Sequence, residues 1–158
     1  MNGQIAEIAN DIWIGNCEAC QQHIGKFSRR IHIWHDTQPG FCDRLRLAGI
    51  QRTSDPGTVA DGHTDLSLEY LEGSIIGVDR LSAVYDFAKQ DGRMLIHCAA
   101  GIGRSSTLAV VALAARGADP FDALAMIARS EWKQYHHPHC PHFKSKRLNE
   151  IIKWLEGK

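Results

Sequence analysis

The chain has 158 residues, 44% apolar and 23% charged, a composition ordinary for one globular domain and unlike disordered, collagen-like or low-complexity chains. Eighteen basic residues balance eighteen acidic ones, which argues against bulk attraction to nucleic acid or to an anionic membrane. The longest apolar run, Leu108 to Ala115, is far short of a membrane span, and Met1 to Asn10 lacks the basic-then-apolar order of an export signal. With five cysteines and no such signal, the expectation is a cytoplasmic monomer, one domain over residues 1–158, with free thiols.

In chain order, Ile5 to Ile14 reads as extended, ending at Gly15-Asn16, and Cys17 to Ile24 as a short helix. Arg30 to Trp34 reads as a strand, with Ile31 and Ile33 alternating against Arg30, His32 and Trp34. Phe41 to Leu47 has helical spacing up to Gly49, and Thr53 to Thr64 carries turn chemistry in Ser54, Asp55, Pro56, Gly57, Asp61 and Gly62. Leu66, Leu68 and Tyr70 alternate as on a half-buried strand. Leu81, Val84, Tyr85 and Ala88 follow a helical period, with Gly92 as its C-terminal stop. Met94-Leu95-Ile96 is the continuous apolar run of a strand covered on both faces. Ser105 to Arg116 reads as a buried helix ended by Gly117. Asp119 and Pro120 start a second helix that runs to about Ser130, and an amphipathic helix spans Phe143 to Leu155. Strands alternating with helices predict an α/β fold, a central, mostly parallel sheet flanked by helices.

Chemistry concentrates between the strand at Arg93–His97 and the helix that follows. The connecting segment is Cys98-Ala99-Ala100-Gly101-Ile102-Gly103-Arg104-Ser105. Gly101 and Gly103 permit tight turns with positive φ, and a loop before a helix N-terminus aims its backbone N–H groups at one point. Such a nest suits a phosphate dianion. The helix dipole and the Arg104 guanidinium both favour thiolate over thiol at Cys98, and a planar guanidinium can hold two phosphoryl oxygens at once.

His97-Cys98-x5-Arg104-Ser105 resembles the signature of the cysteine-dependent protein tyrosine phosphatases. The chain length and element order are similar to those of the dual-specificity phosphatases, and Ile12-Trp13-Ile14-Gly15 resembles their opening strand end. Residues 25–64 match that family poorly. The resemblance implies a protein tyrosine phosphatase-like fold and hydrolysis of a phosphomonoester through a phosphocysteine. The expected substrate is phosphotyrosine in proteins, with phosphoserine and phosphothreonine as further targets. Alternatives are a non-protein phosphate, such as an inositol phosphate or an RNA 5′ end, and a phosphate-binding module with little turnover. The implied roles are nucleophile for Cys98, oxyanion binding for Arg104 and the N–H groups of Ala99, Ala100, Gly101, Ile102 and Gly103, leaving-thiolate support for Ser105, and loop orientation for His97. No cofactor is implied.

The general acid is less local. In that family it is an aspartate from a loop after an apolar strand. Here Leu66 to Ser74 places Glu72 at that point, 26 residues before Cys98. Asp65, 33 residues before it, Asp61, 37 before it, and Glu69 are the alternatives. His136, His137, His139, Cys140 and His142, with Cys17-x2-Cys20, carry metal-ligating atoms, but the prolines at 138 and 141 fit a polar loop better than a zinc site, so no metal is expected. Cys17, Cys20 and Cys42 are candidates to resolve an oxidised Cys98. Lys26, Arg29 and Arg30, and Lys144, Lys146 and Arg147, read as two solvated basic patches. Trp34, Trp132 and Trp154 read as packing anchors.

Overall fold

Four short runs of branched apolar residues need partners on both sides, and a sheet supplies them. A computed structural model describes residues 5–34, 58–60, 65–70, 76–98, 104–130 and 146–158. Among these, six strands form one sheet: β1 (Ile5–Ala9), β2 (Ile12–Gly15), β3 (Arg29–Trp34), β4 (Thr58–Ala60), β5 (Asp65–Glu69) and β6 (Met94–His97). Their order is β1-β2-β6-β3-β5-β4, with parallel pairing from β2 through β6 and β3 to β5 and antiparallel pairing at each edge. The helices are α1 (Cys17–Gln22), α2 (Val78–Ala88), α3 (Arg104–Ala115), α4 (Pro120–Arg129) and α5 (Lys146–Glu156).

One face of the sheet is oily. Ile12 and Ile14, Met94 and Ile96, Ile31 and Ile33, and Leu66 and Leu68 stand in register across four strands and are all buried. They pack under α2, α3, α4 and α5. Helix α3 runs through the middle of that layer, and every residue from Leu108 to Leu113 is fully buried. Each such Leu or Val is worth about 1.5–3 kcal/mol of transfer free energy, so α3 is held by its core rather than by its ends. Gly117, with φ +100°, turns the chain out of α3, and Asp119 caps α4 by accepting from Phe121 N at 2.9 Å. Leu148, Ile151, Ile152 and Leu155 form the buried stripe of α5. The opposite face carries α1, capped by Asn16 accepting from Ala19 N at 2.9 Å, with Cys20, Phe27, Trp34 and Leu95 packed together.

Among the described residues, the strands and helices expected from the pattern are present, with four differences. The stretch Ile5 to Ile14 is not one extended segment but a hairpin, turned at Asn10 and Asp11 with φ +53° and +61°. Two successive positive φ values are what a two-residue hairpin of right-handed twist demands. Thr58–Ala60, inside the predicted turn region, adds an edge strand. Gly92 does not end α2, which stops at Lys89. Its φ of +127° instead serves the turn into β6, where a Cβ would lie 2.6 Å from Ser28 Oγ. Finally, β3 has no solvated side: Arg29, Arg30, His32 and Trp34 are all buried, so the basic patch expected at residues 26–30 is not one. Asp65, Leu66, Ser67 and Leu68 of β5 are likewise buried. Phe41 to Leu47, Trp132, and the segment from His136 to Lys144 lie outside the described residues.

Arginines tie the helix ends to the strand entries. Arg29 stacks on Phe87, 3.7 Å from the ring centroid, and donates to Phe87 O and Gln90 O. Arg116, just past α3, donates to Ala88 O (3.0 Å), Asn10 O (2.7 Å), Gln90 O (3.0 Å) and Gly92 O (2.9 Å). Burial pushes both guanidinium groups below their ordinary range; mutual repulsion adds to this at Arg29, while Asp11 and Asp91 oppose it at Arg116. The four carbonyls match a planar fork and not a point charge. Arg116→Ala is therefore expected to cost about 2 kcal/mol, and Arg116→Lys to recover less than half, read as shifts of the urea unfolding midpoint at constant m-value.

Candidate active site

The carboxyl ends of β6 and β5 and the start of α3 converge, which is where open α/β sheets hold their ligands. Cys98 leaves β6 directly and is 2% exposed. Its Sγ lies 3.5 Å from Ser105 Oγ, in the first turn of α3. Arg104, the first residue of α3, is also buried, and its Nη1 donates to the carbonyl of Tyr70 at 3.3 Å, just past β5. Tyr70 N in turn donates to Trp34 O at 2.9 Å, which carries the end of β5 along β3. Arg80 Nε donates to Glu69 O at 2.8 Å, so α2 pins the same strand end.

Cys98, Ser105 and Arg104, expected together from the sequence, thus lie around the junction of β6, β5 and α3. Ala99 to Gly103, Asp61 and Glu72 lie outside the described residues. Glu69 is a half-buried strand residue. Asp65 opens β5 and has no exposure. Its Oδ1 accepts from Arg30 Nε at 2.7 Å and its Oδ2 from Arg30 Nη2 at 3.0 Å, a bidentate pair, and Oδ1 also lies 2.7 Å from His32 Nε2. Both carboxylate oxygens are therefore occupied inside the sheet.

His97 stands behind Cys98, fully buried on the α1 side. Its Nε2 lies 2.6 Å from His32 Nδ1, directly across the β3–β6 ladder. Cys20 Sγ from α1 is 4.0 Å from His32 Nδ1. Cys20, His32 and His97 bring ligating atoms within 4.8 Å of one another, the one such cluster among the described residues. Two nitrogens on a tetrahedral zinc lie about 3.3 Å apart. The observed 2.6 Å between His32 Nδ1 and His97 Nε2 is a hydrogen-bond separation. Cys20 packs with the cluster on the α1 face and Cys98 with the core under α3, so the two thiols belong to opposite faces.

Arg30 and His32 had been legible only as the polar half of an alternating strand. What joins them to Asp65 and His97 is the β3–β5 and β3–β6 register, a long-range property without a local signal.

No family model matches the chain, and no curated protein does. Solved structures do. Tk-PTP, crystallised in its active form, aligns at TM-score 0.63 and 17% identity over 97% of each chain. Human DUSP28 aligns at TM-score 0.59 and 17% identity over 96% of this chain and 95% of its own. A human tyrosine phosphatase-like serine/threonine/tyrosine-interacting protein aligns at TM-score 0.58 and 17% identity, over 95% and 96%. Together with the strand order and the Cys98–Ser105 junction, these alignments show that the chain has the fold of the cysteine-dependent protein tyrosine phosphatases, in its dual-specificity-like form.

Proposed function

We propose that the protein is a phosphomonoester hydrolase acting through a phosphocysteine, with phosphotyrosine in proteins as its first substrate and phosphoserine and phosphothreonine as further ones. The observation that carries this reading is the position of Cys98: at the carboxyl end of the central strand, 3.5 Å from Ser105 Oγ at the start of a buried helix. The helix N-terminus and Arg104 supply positive potential at that point.

Cys98 Sγ attacks phosphorus, forming the S–P bond as the P–O bond to the leaving group breaks. Arg104 and the backbone N–H groups of Ala99 to Gly103 hold the equatorial oxygens as charge develops. The leaving oxygen takes a proton from Glu72, two residues after Tyr70 in the chain. Asp65 is set aside for this role because both its oxygens are already committed to Arg30 and His32. Water then cleaves the S–P bond, and the Ser105 hydroxyl donates to the departing thiolate. Ala99, Ala100 and Ile102 give the loop no lysine, which favours a phosphoprotein over a highly anionic headgroup. The likeness to a phosphatase-like interacting protein favours a second reading, capture of a phosphoresidue without turnover.

Cys98→Ser is expected to abolish hydrolysis of para-nitrophenyl phosphate while inorganic phosphate still binds; appreciable residual turnover excludes the cysteine mechanism. Arg104→Lys keeps the charge but loses the fork, and is expected to cost on the order of 10²–10³ in kcat. Glu72→Gln is expected to slow alkyl phosphates by about 10²–10⁴ and para-nitrophenyl phosphate far less, because a good leaving group needs no proton. Asp61→Asn and Glu69→Gln run alongside; leaving-group dependence in one of these instead would move the acid there. An inactive wild type that binds phosphotyrosine peptides establishes the capture reading.

A further inference from the structure

Tyr85 of α2 and Trp154 of α5 meet at the margin of the core, both half-buried. Their ring centroids are 6.1 Å apart and their planes stand at 87°. Lys158, which follows α5, places Nζ 4.4 Å from the Tyr85 centroid and 4.5 Å from the Trp154 centroid. Its ammonium therefore sits in the corner that the two rings make. Lys89 Nζ lies 4.8 Å from the Tyr85 centroid and is also 3.6 Å from Asp86 Oδ1, so Lys158 is the looser of the two cations.

Trp154 also walls a cavity of about 260 Å³ at the start of α2, with Val78, Leu81 and Ile151 as its apolar lining and the Glu150 carboxylate beside them. Val78 is large, apolar and 58% exposed, so the lining is open to solvent there. None of these residues belongs to the junction of Cys98, Ser105 and Arg104.

The corner suits one kind of ligand. Ring faces carry negative potential and attract cations. A primary ammonium such as that of Lys158 is strongly hydrated and gives up water to reach a ring, and its four-carbon stem loses freedom on being held. A trimethylammonium group has neither cost in the same measure. Its charge is spread, its hydration is weak, and its methyl groups lie against both rings as hydrocarbon. Glu150 adds a preference for cations and opposes anions. The cavity is at the small end of the range for ligand pockets, which fits a compact molecule and not a large one.

We propose that Tyr85 and Trp154 form a binding corner for a small alkyl-trimethylammonium compound. Its alkyl chain runs into the cavity beside Val78 and Leu81, and Lys158 is the internal cation that it displaces. The site is independent of the phosphatase reading and stands whether or not Cys98 turns over.

The test is a proton NMR titration that follows the N-methyl signal of choline, which ring faces shift upfield. Choline is expected to bind about 5–30-fold more tightly than 3,3-dimethylbutan-1-ol, its neutral isostere, because two ring faces act on the charge. Trp154→Leu keeps apolar volume without the π face and is expected to lose that difference. Lys158→Ala is expected to tighten choline about 2–5-fold by removing the competitor. Butyltrimethylammonium is expected to bind about 3–10-fold more tightly than tetramethylammonium, and Val78→Gln to remove that gain while tetramethylammonium binds as before. No choline binding, or equal affinity for choline and its isostere, overturns the site. So does a charge preference that survives Trp154→Leu. Unchanged or weaker choline binding in Lys158→Ala overturns the displacement. Sedimentation with phosphatidylcholine vesicles in the absence of free-choline binding assigns the corner to a lipid surface and overturns the small-molecule ligand. If Trp154→Leu fails to fold, the comparison of choline with its isostere in the wild type decides.

Discussion

An ionised carboxylate cannot sit inside a sheet without a cation against it, and the Asp65–Arg30 pair is the interaction around which one whole face of this protein is organised. The pair is a direct cross-strand neighbour in the β3–β5 register. Once it is formed, His32 has an acceptor and His97 has a partner, and Trp34 finds Ser67 Oγ at 2.9 Å on the same face. The sheet is therefore two-natured. Under α2 to α5 it is hydrocarbon packed on hydrocarbon; under α1 it carries a polar row, Arg30, Asp65, His32 and His97, linked by hydrogen bonds from strand to strand.

The two natures meet at Cys98. The strand that carries it is paired on both sides, and the helix that carries Ser105 and Arg104 is anchored by the apolar run from Leu108 to Leu113. The distance between Cys98 and Ser105 is thus set by core packing, not by the site's own weak contacts. Close-packed interiors yield little, which makes such an arrangement a reliable place to hold reacting groups.

What could be read along the chain followed from how local each signal is. Helix α4 was legible because Asp119 and Pro120 announce its first turn and act only on their neighbours. Cys98, Arg104 and Ser105 were legible for the same reason, lying within one turn-and-helix segment. The hairpin at Asn10-Asp11 was not, because neither residue is glycine, although both are short polar residues that tolerate positive φ. Arg30 and His32 alternated with isoleucines as solvent-facing residues do, and only strand register reveals that their neighbours are Asp65 and His97. The acid was least legible, since a carboxylate's role depends on where a loop lies and sequence distance from Cys98 is a weak guide to that.

The strand order also bears on how the chain reaches this state. β2 and β3 are close in sequence but never touch, because β6 fills the slot between them. That strand is made about sixty residues after β3 ends. As the chain leaves the ribosome, its first third therefore holds two strands with open edges facing an absent partner. Contact order is high at the centre of the sheet, so closing it must await the apolar run at residues 94–96 and the helix that covers it. The stretch that leads into Cys98 is in this sense also the keystone of assembly: a lesion there would be felt first in the yield of folded protein.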